Sequence, residues 1–269
     1  MEEMKEKVRR LLEEGVISGF LGLKLEYGHP APHLFTLSDP KALELLTVGD
    51  ARYPLDKILL KIVASHPAET FGVMVRGCDQ RSFLELAKEN QISLEKVLFC
   101  GVACPEELAR QCGCPTPYPS QVDYGQPVRG VEATGRVAEL EQMQEGERLR
   151  FWSQQFGKCL KCFGCRNICP VCYCPHCTLE DTSLVLGGVV PAEFPLFHLI
   201  KAMHMTGRCI DCGLCEEACP VGIPLRSIYR RMNQVMQDLF SYLPGRGIDE
   251  KSPLGVLEET QAASVSGKS

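Results

Sequence analysis

Long apolar runs are missing from this chain of 269 residues, which excludes an obvious membrane span. Its longest candidates, residues 184–190 and 20–23, fall far short of the roughly 20 apolar residues a spanning helix needs. An excess of basic charge is missing too. Lys plus Arg is 29 and Asp plus Glu is 34, so the net charge is -5 and general nucleic-acid binding is a poor match. The first residues are charged and helix-forming, with neither an apolar core nor a small-residue cleavage site, so no secretory signal is expected there. These absences lead to the expectation of a soluble, cytoplasmic protein. Hydrophobic residues at 45% and charged residues at 23% describe a globular chain, sized for one large domain or two small ones.

Cysteine is abundant: the chain has 16. A disulfide scaffold is the first reading to reject, because such scaffolds are small and secreted. Clustered cysteines in a reducing compartment point instead to metal or redox chemistry.

Eight of the cysteines form two copies of one pattern, C-x2-C-x2-C-x3-C-P. The first copy is Cys159, Cys162, Cys165 and Cys169 before Pro170; the second is Cys209, Cys212, Cys215 and Cys219 before Pro220. This is the run that wraps a cubane iron–sulfur cluster. Two-residue gaps let a tight loop present three thiolates to three corners of a cube. The fourth corner is reached by the cysteine before proline in the other copy. The spacing therefore assigns Cys159, Cys162, Cys165 and Cys219 to one 4Fe-4S cluster and Cys209, Cys212, Cys215 and Cys169 to another. Zinc is the competing reading, but zinc ribbons use paired C-x2-C and need no duplication. Gly164 and Gly213 allow backbone N–H groups to approach the sulfur atoms. Lys158, Lys161 and Arg166 lie beside the first motif, and Asp211, Glu216 and Glu217 beside the second. Negative charge disfavours adding an electron, so sequence neighbours alone place the higher potential at the first motif.

Two further groups remain. Cys172, Cys174 and Cys177 follow the first motif directly and suggest a third metal site, with His176 as a further ligand; the alternative is a loop of free thiols. Cys78, Cys100, Cys104, Cys112 and Cys114 lie upstream, either as metal ligands or as small buried apolar residues.

Hydrophobic periodicity predicts a helix over 1–14, with Met4, Val8, Leu11 and Leu12 on one side, and strands over 19–27 and 33–36. Further helices are expected from Ser38 as N-cap and over 55–65. Residues 71–75 and 97–101 are near-continuous apolar strands, with a helix over 81–90 between them and Asp79 as its N-cap. Strand, helix, strand of this kind is a βαβ unit in a parallel sheet. A charged helix over 139–155 leads to the cluster motifs, followed by helices over 195–205 and 224–242. The fold class expected is an α/β N-terminal domain with a βαβ unit over 1–138, plus an α+β two-cluster ferredoxin-like domain over 139–243. Residues 244–269 are expected to be a flexible or docking tail.

The stretch from Cys159 to Pro220 resembles a dicluster ferredoxin domain. Arg76, Cys78, Asp79 and Arg81, followed by Gly101 and Cys104, resemble a stretch of the β subunits of deazaflavin (coenzyme F420)-reducing hydrogenases and formate dehydrogenases, as does the run from Cys169 to Cys174. The resemblance implies an electron-transfer subunit of an anaerobic redox complex. Its partners would be other subunits: hydrogenase, formate dehydrogenase or heterodisulfide-reductase-like. Fewer than 160 residues precede the clusters, and no G-x-G-x-x-G follows a strand. Relay through two 4Fe-4S clusters, with no catalytic residue, is therefore the leading reading. A reductase subunit that binds FAD and splits its electrons into the clusters is the alternative. A zinc-stabilised interaction module is the non-redox rival.

Overall fold

The computed structural model describes residues 1–131 and 135–255. Helix α1 (Glu2–Glu13) buries Met4, Val8 and Leu12, and Leu11 packs beside them. Strand β1 (Gly19–Glu26) turns back antiparallel into β2 (His29–Phe35), with Leu21 opposite Leu34. A short 3-10 turn over Pro40–Leu45 leads into β3 (Leu46–Thr47), which pairs with β1. Ser38 does not cap this turn; its hydroxyl bonds that of Thr36 at 2.7 Å, and Asp39 precedes the turn instead.

After α2 (Leu55–Ser65), strand β4 (Phe71–Val75) runs parallel to β1 and to β5 (Val97–Gly101), giving the order β2-β1-β4-β5. Every residue of β4 is buried, as a strand covered on both faces must be. Helix α3 (Gly77–Lys88) makes the crossover between β4 and β5, so the βαβ unit expected from the apolar pattern is present. It begins four residues earlier than the pattern suggested. Arg76 is its N-cap, and Asp79 caps from inside the first turn by accepting the Arg76 backbone N–H at 2.8 Å. Phe83 and Leu86 enter the core together with Ser82 and Glu85, while Leu84 is half-buried. The carboxyl ends of β4 and β5 deliver Arg76–Asp79 and Val102–Cys104 to one edge, the position where open α/β sheets hold ligands.

The remaining elements are α4 (Glu106–Cys112), α5 (Gly135–Gln142), α6 (Glu145–Phe156), α7 (Gly164–Asn167), α8 (Leu196–Met205), α9 (Leu214–Glu217) and α10 (Leu225–Phe240). The helix expected over 139–155 is broken at Gln144, whose backbone N–H is capped by Glu147 at 3.3 Å. Among the described residues after β5 no further strand forms, so helices and turns stand where an α+β half was expected. Left-handed residues curl both cysteine loops too tightly for extended pairing. In α8 the inward face is Phe197, His198, Lys201, Ala202 and Met205, while Leu196 and Leu199 are exposed. In α10 Leu225 and Met236 are buried with Ser227, Tyr229 and Asn233; Ile228 and Met232 are half-buried, and Phe240 is exposed.

Long basic side chains join the two halves. Lys57 of α2 donates to Asn167 O at 3.0 Å and Cys169 O at 3.3 Å. Arg52 donates to Cys212 O at 2.5 Å, and Arg81 to Ile210 O at 3.3 Å. Of the expected tail, residues 244–255 are described, and part of this stretch is tied to α3: the Gly245 N–H donates to Glu85 Oε1 at 2.6 Å, and Lys88 donates to Glu250 O at 2.9 Å. Residues 256–269 lie outside the described residues. No helix among the described residues is long and apolar enough to cross a membrane.

Candidate metal centres

The two motif loops have the same backbone. Lys161 and Phe163 take positive φ (49° and 57°), as do Asp211 and Gly213 (55° and 80°) at the matching positions of the second copy. These left-handed turns aim cysteines three apart at a common point, and each loop then enters a single helical turn, α7 or α9. Gly213 fits this backbone without strain; an added Cβ would also meet Arg226 Nη1 at 2.9 Å.

Cys159, Cys162, Cys165 and Cys219 line one cavity of about 360 Å³. Cys209, Cys212, Cys215 and Cys169 line another of about 370 Å³. Each loop thus supplies three thiols to its own cavity and one to its neighbour's. Among the described residues no three His, Cys, Asp or Glu side chains are placed to hold a single metal ion. The sulfurs ring a space instead of meeting at a point. Thiols in an apolar wall, including Val171, Ile210 and Tyr229 at one cavity and Phe197, Ile223 and Leu225 at the other, are the donor set and surroundings that suit a 4Fe-4S cluster. Backbone N–H groups also reach sulfur: Lys161 donates to Cys159 Sγ and Ile223 to Cys219 Sγ, both at 3.4 Å.

Burial pushes the free thiols up, Cys209 to about 12 and Cys212 to about 11, with Cys159 and Cys165 shifted the same way. Metal binding reverses this, because a coordinating thiol is deprotonated outright.

The charges around the cavities differ from the sequence neighbours. Lys201 of α8, only 5% exposed, stands in the wall of the second-motif cavity with Arg226. Burial opposes its charge, but the negative charge of Cys169 and Cys172 outweighs burial and holds Lys201 above its ordinary value. Asp211 is neutralised by Arg226 at 2.5 Å and Arg230 at 2.9 Å, and Glu217 is paired with Arg52. At the other cavity Lys161 is matched by Glu193 at 2.7 Å, Arg166 by Glu180 at 2.6 Å, and His198 is kept neutral by burial, which lowers it to about 4. The second cavity is therefore the more positive, the reverse of the order read from sequence neighbours. Lys201 gave no sequence signal: it precedes Cys209 by eight residues, outside the motif loop, and only the packing of α8 turns it into the cavity wall.

Cys172 lies beside the second-motif cavity and accepts from Lys201 Nζ at 3.4 Å. Its hydrogen bond with Cys169, aided by Lys201, holds this thiol below its ordinary value. Cys174 and His176 are exposed, and they line with Cys172 and Cys177 a wide groove of about 1820 Å³. Cys100 faces the sheet core, fully buried. The other upstream cysteines, Cys78, Cys104, Cys112 and Cys114, face a third cavity of about 340 Å³.

Residues 203–224 match the family model of the 4Fe-4S binding domain. That match is the signature of an iron–sulfur protein. Among curated proteins, the chain is similar to the F420-dependent formate dehydrogenase subunit beta of Methanocaldococcus jannaschii, 38% identical over 110 residues, which is 41% of this chain and 28% of that relative. It is also similar to the F420-dependent formate dehydrogenase 1 subunit beta of Methanococcus maripaludis, 36% identical over 102 residues, which is 38% of this chain and 26% of that relative. The matched segments span about a quarter of these relatives' length. The resemblance to formate dehydrogenase β subunits drawn from the sequence is thus found again by direct comparison.

Proposed function

We propose that the chain is an iron–sulfur electron-transfer subunit of a larger redox complex, relaying single electrons through two 4Fe-4S clusters. Cys159, Cys162, Cys165 and Cys219 would hold one cluster, and Cys209, Cys212, Cys215 and Cys169 the other. The observation that carries this reading is the exchange of Cys169 and Cys219 between the two cavities. The partner is a dehydrogenase, hydrogenase or heterodisulfide-reductase-like subunit. The names of the curated relatives favour formate dehydrogenase. An α/β domain over 1–138 and a dicluster domain over 139–243 is the division this reading carries.

A bound 4Fe-4S cluster takes up and releases one electron at a time. The chain supplies the surroundings. The apolar walls exclude water, the Lys161 and Ile223 N–H groups stabilise charge on sulfur, and Lys201 and Arg226 place positive charge at the second cavity. More positive charge favours the reduced state, so the cluster at the second cavity has the higher potential of the two. Lys201→Gln is expected to lower that potential by on the order of 50–100 mV, the effect of one charge at an effective dielectric of about 20. The other cluster should move less. Potentiometric EPR reads both, and an unmoved second potential would refute the role given to Lys201.

The reading is tested by metal and flavin analysis of the full chain purified without oxygen. At least about eight irons per chain, with matching sulfide and a reduced-state EPR signal, is the expected result. Zinc without iron would remove it. Bound flavin whose absorbance survives cluster removal would replace the relay with a flavin-containing reductase.

A further inference from the structure

Four upstream cysteines meet in space although the chain separates them. Cys78 sits in the first turn of α3, just past β4, and Cys104 follows β5. Because β4 and β5 are parallel neighbours, with Val75 opposite Gly101, both thiols arrive at the same edge of the sheet. Helix α4 then turns back and ends at Cys112; Gly113, in the left-handed region (φ 49°), reverses the chain and presents Cys114. The four thiols line one cavity of about 340 Å³, close in size to the two motif cavities.

We propose that Cys78, Cys104, Cys112 and Cys114 hold a third iron–sulfur cluster at the carboxyl edge of the parallel sheet. The inference shares the iron–sulfur chemistry of the proposed function but assigns residues that function does not use.

Three observations support it. The first is the closure of the site. The Cys104 N–H is fixed on Pro117 O at 2.8 Å and the Cys114 N–H on Ala109 O at 3.0 Å. The loop after Cys114 lies directly on the strand ends: a Cβ on Gly77 would come within 2.2 Å of Thr116 O, and one on Gly101 within 1.8 Å of Gln121 O. Glycine is required at both places because the loop backbone lies against the strand ends there, and Pro117 of the same loop lines the cavity.

The second is charge. Arg52, Arg76 and Arg226 stand in the cavity wall; Glu217 pairs Arg52 and Asp211 pairs Arg226, while Arg76 donates to Gly49 O and is in no ion pair among the described residues. Arg76 is only 5% exposed. Buried cations need a counter-charge. Four neutral thiols offer none, whereas a cluster held by four thiolates is a net anion. The thiols do not converge for a single ion, as no such group exists among the described residues. Cys100, the upstream cysteine that lies in the apolar core, lines none of this cavity.

The third is position. Cys212 and Arg226 belong to the walls of both this cavity and the second-motif cavity. The third site therefore adjoins the second-motif cavity, placed as a further one-electron site. By contrast, Cys172, Cys174 and Cys177 are spread along a wide groove and lack this enclosure.

The test is iron and sulfide analysis with EPR spin counting on the full chain, reconstituted without oxygen from ferrous iron and sulfide. The parent should carry about twelve irons per chain, and the double variant Cys112→Ala, Cys114→Ala about eight, with one EPR component gone. About eight irons in both proteins would overturn the third site and leave the two-cluster reading intact. About four irons that vanish in the double variant would support the third site and sink the two-cluster reading instead. One zinc per chain, lost in the double variant, would overturn the iron–sulfur identity. Should the double variant fail to accumulate, the parent's count together with Cys104→Ser decides: a parent count near eight, unchanged by that substitution, overturns the proposal.

Discussion

Cys169→Ala and Cys215→Ala are expected to remove the same cluster, although the two residues belong to different motifs. Each variant should lose about four irons and four sulfides per chain and the same component of the reduced EPR spectrum. Cys219→Ala should remove the other component. The reason is geometric. Cys169 lines the cavity of the second motif and Cys219 that of the first, so under the proposed function each loop would complete its neighbour's ligand set. Transfer through the chain should fall by orders of magnitude in all three variants, since either cavity is a necessary step of a relay. Cys100→Ala is the control: this thiol lies in the sheet core, so cluster iron should be unchanged and the cost confined to packing. Should Cys169→Ala abolish the component lost in Cys219→Ala and spare the one lost in Cys215→Ala, the crossed assignment is wrong.

Arg226→Ala is expected to destabilise the protein by about 2 kcal/mol, below the scale for breaking a fully buried charge pair because both partners are only partly buried. Arg226 Nε donates to Asp211 Oδ1 at 2.5 Å and Nη2 to Asp211 O at 2.5 Å, while Nη1 reaches Cys112 O across the boundary between the two halves. Burial opposes the charge of this guanidinium, and the Asp211 carboxylate outweighs burial. Truncation leaves two carbonyls bare and Asp211 with Arg230 alone. Arg226→Lys should rescue little, because one ammonium cannot span three acceptors held by a planar fork. The comparison is Arg110→Ala, whose exposed pairs with Glu106 and Glu107 on α4 should be worth under about 1 kcal/mol. Urea unfolding of the cluster-bearing protein, followed without oxygen, measures the difference. A variant as stable as the parent would show that the clamp between the halves carries no net energy.

The elements that set the sheet were legible where one segment dictates its own burial. The all-apolar β4 and β5 announced a parallel pair, and Met4, Val8 and Leu12 announced the inner face of α1. Helix starts were less legible. Asp79 looked like an N-cap because it is the helix-starting residue type nearest the predicted helix, yet its carboxylate reaches back to Arg76 from inside the first turn. In α8 apolar character is a poor guide to burial: Phe197 is buried but Leu196 and Leu199 are exposed, whereas Lys201 is buried because thiols face it.

The eight motif cysteines could be paired from spacing alone, because a tight loop constrains thiols three residues apart whatever surrounds it, and duplication implies exchange between copies. Charge and enclosure obey no such local rule. Lys201 reaches the second cavity only because α8 packs there, and Asp211 loses its influence only because α10 brings Arg226 and Arg230 to it. Likewise Cys78, Cys104, Cys112 and Cys114 share a cavity because parallel pairing of β4 with β5 aligns two strand ends and Gly113 folds the chain back over them. Short-range chain stiffness explains the first kind of knowledge. Coulomb forces and packing act between any groups that folding makes neighbours, and so the second kind required the folded molecule.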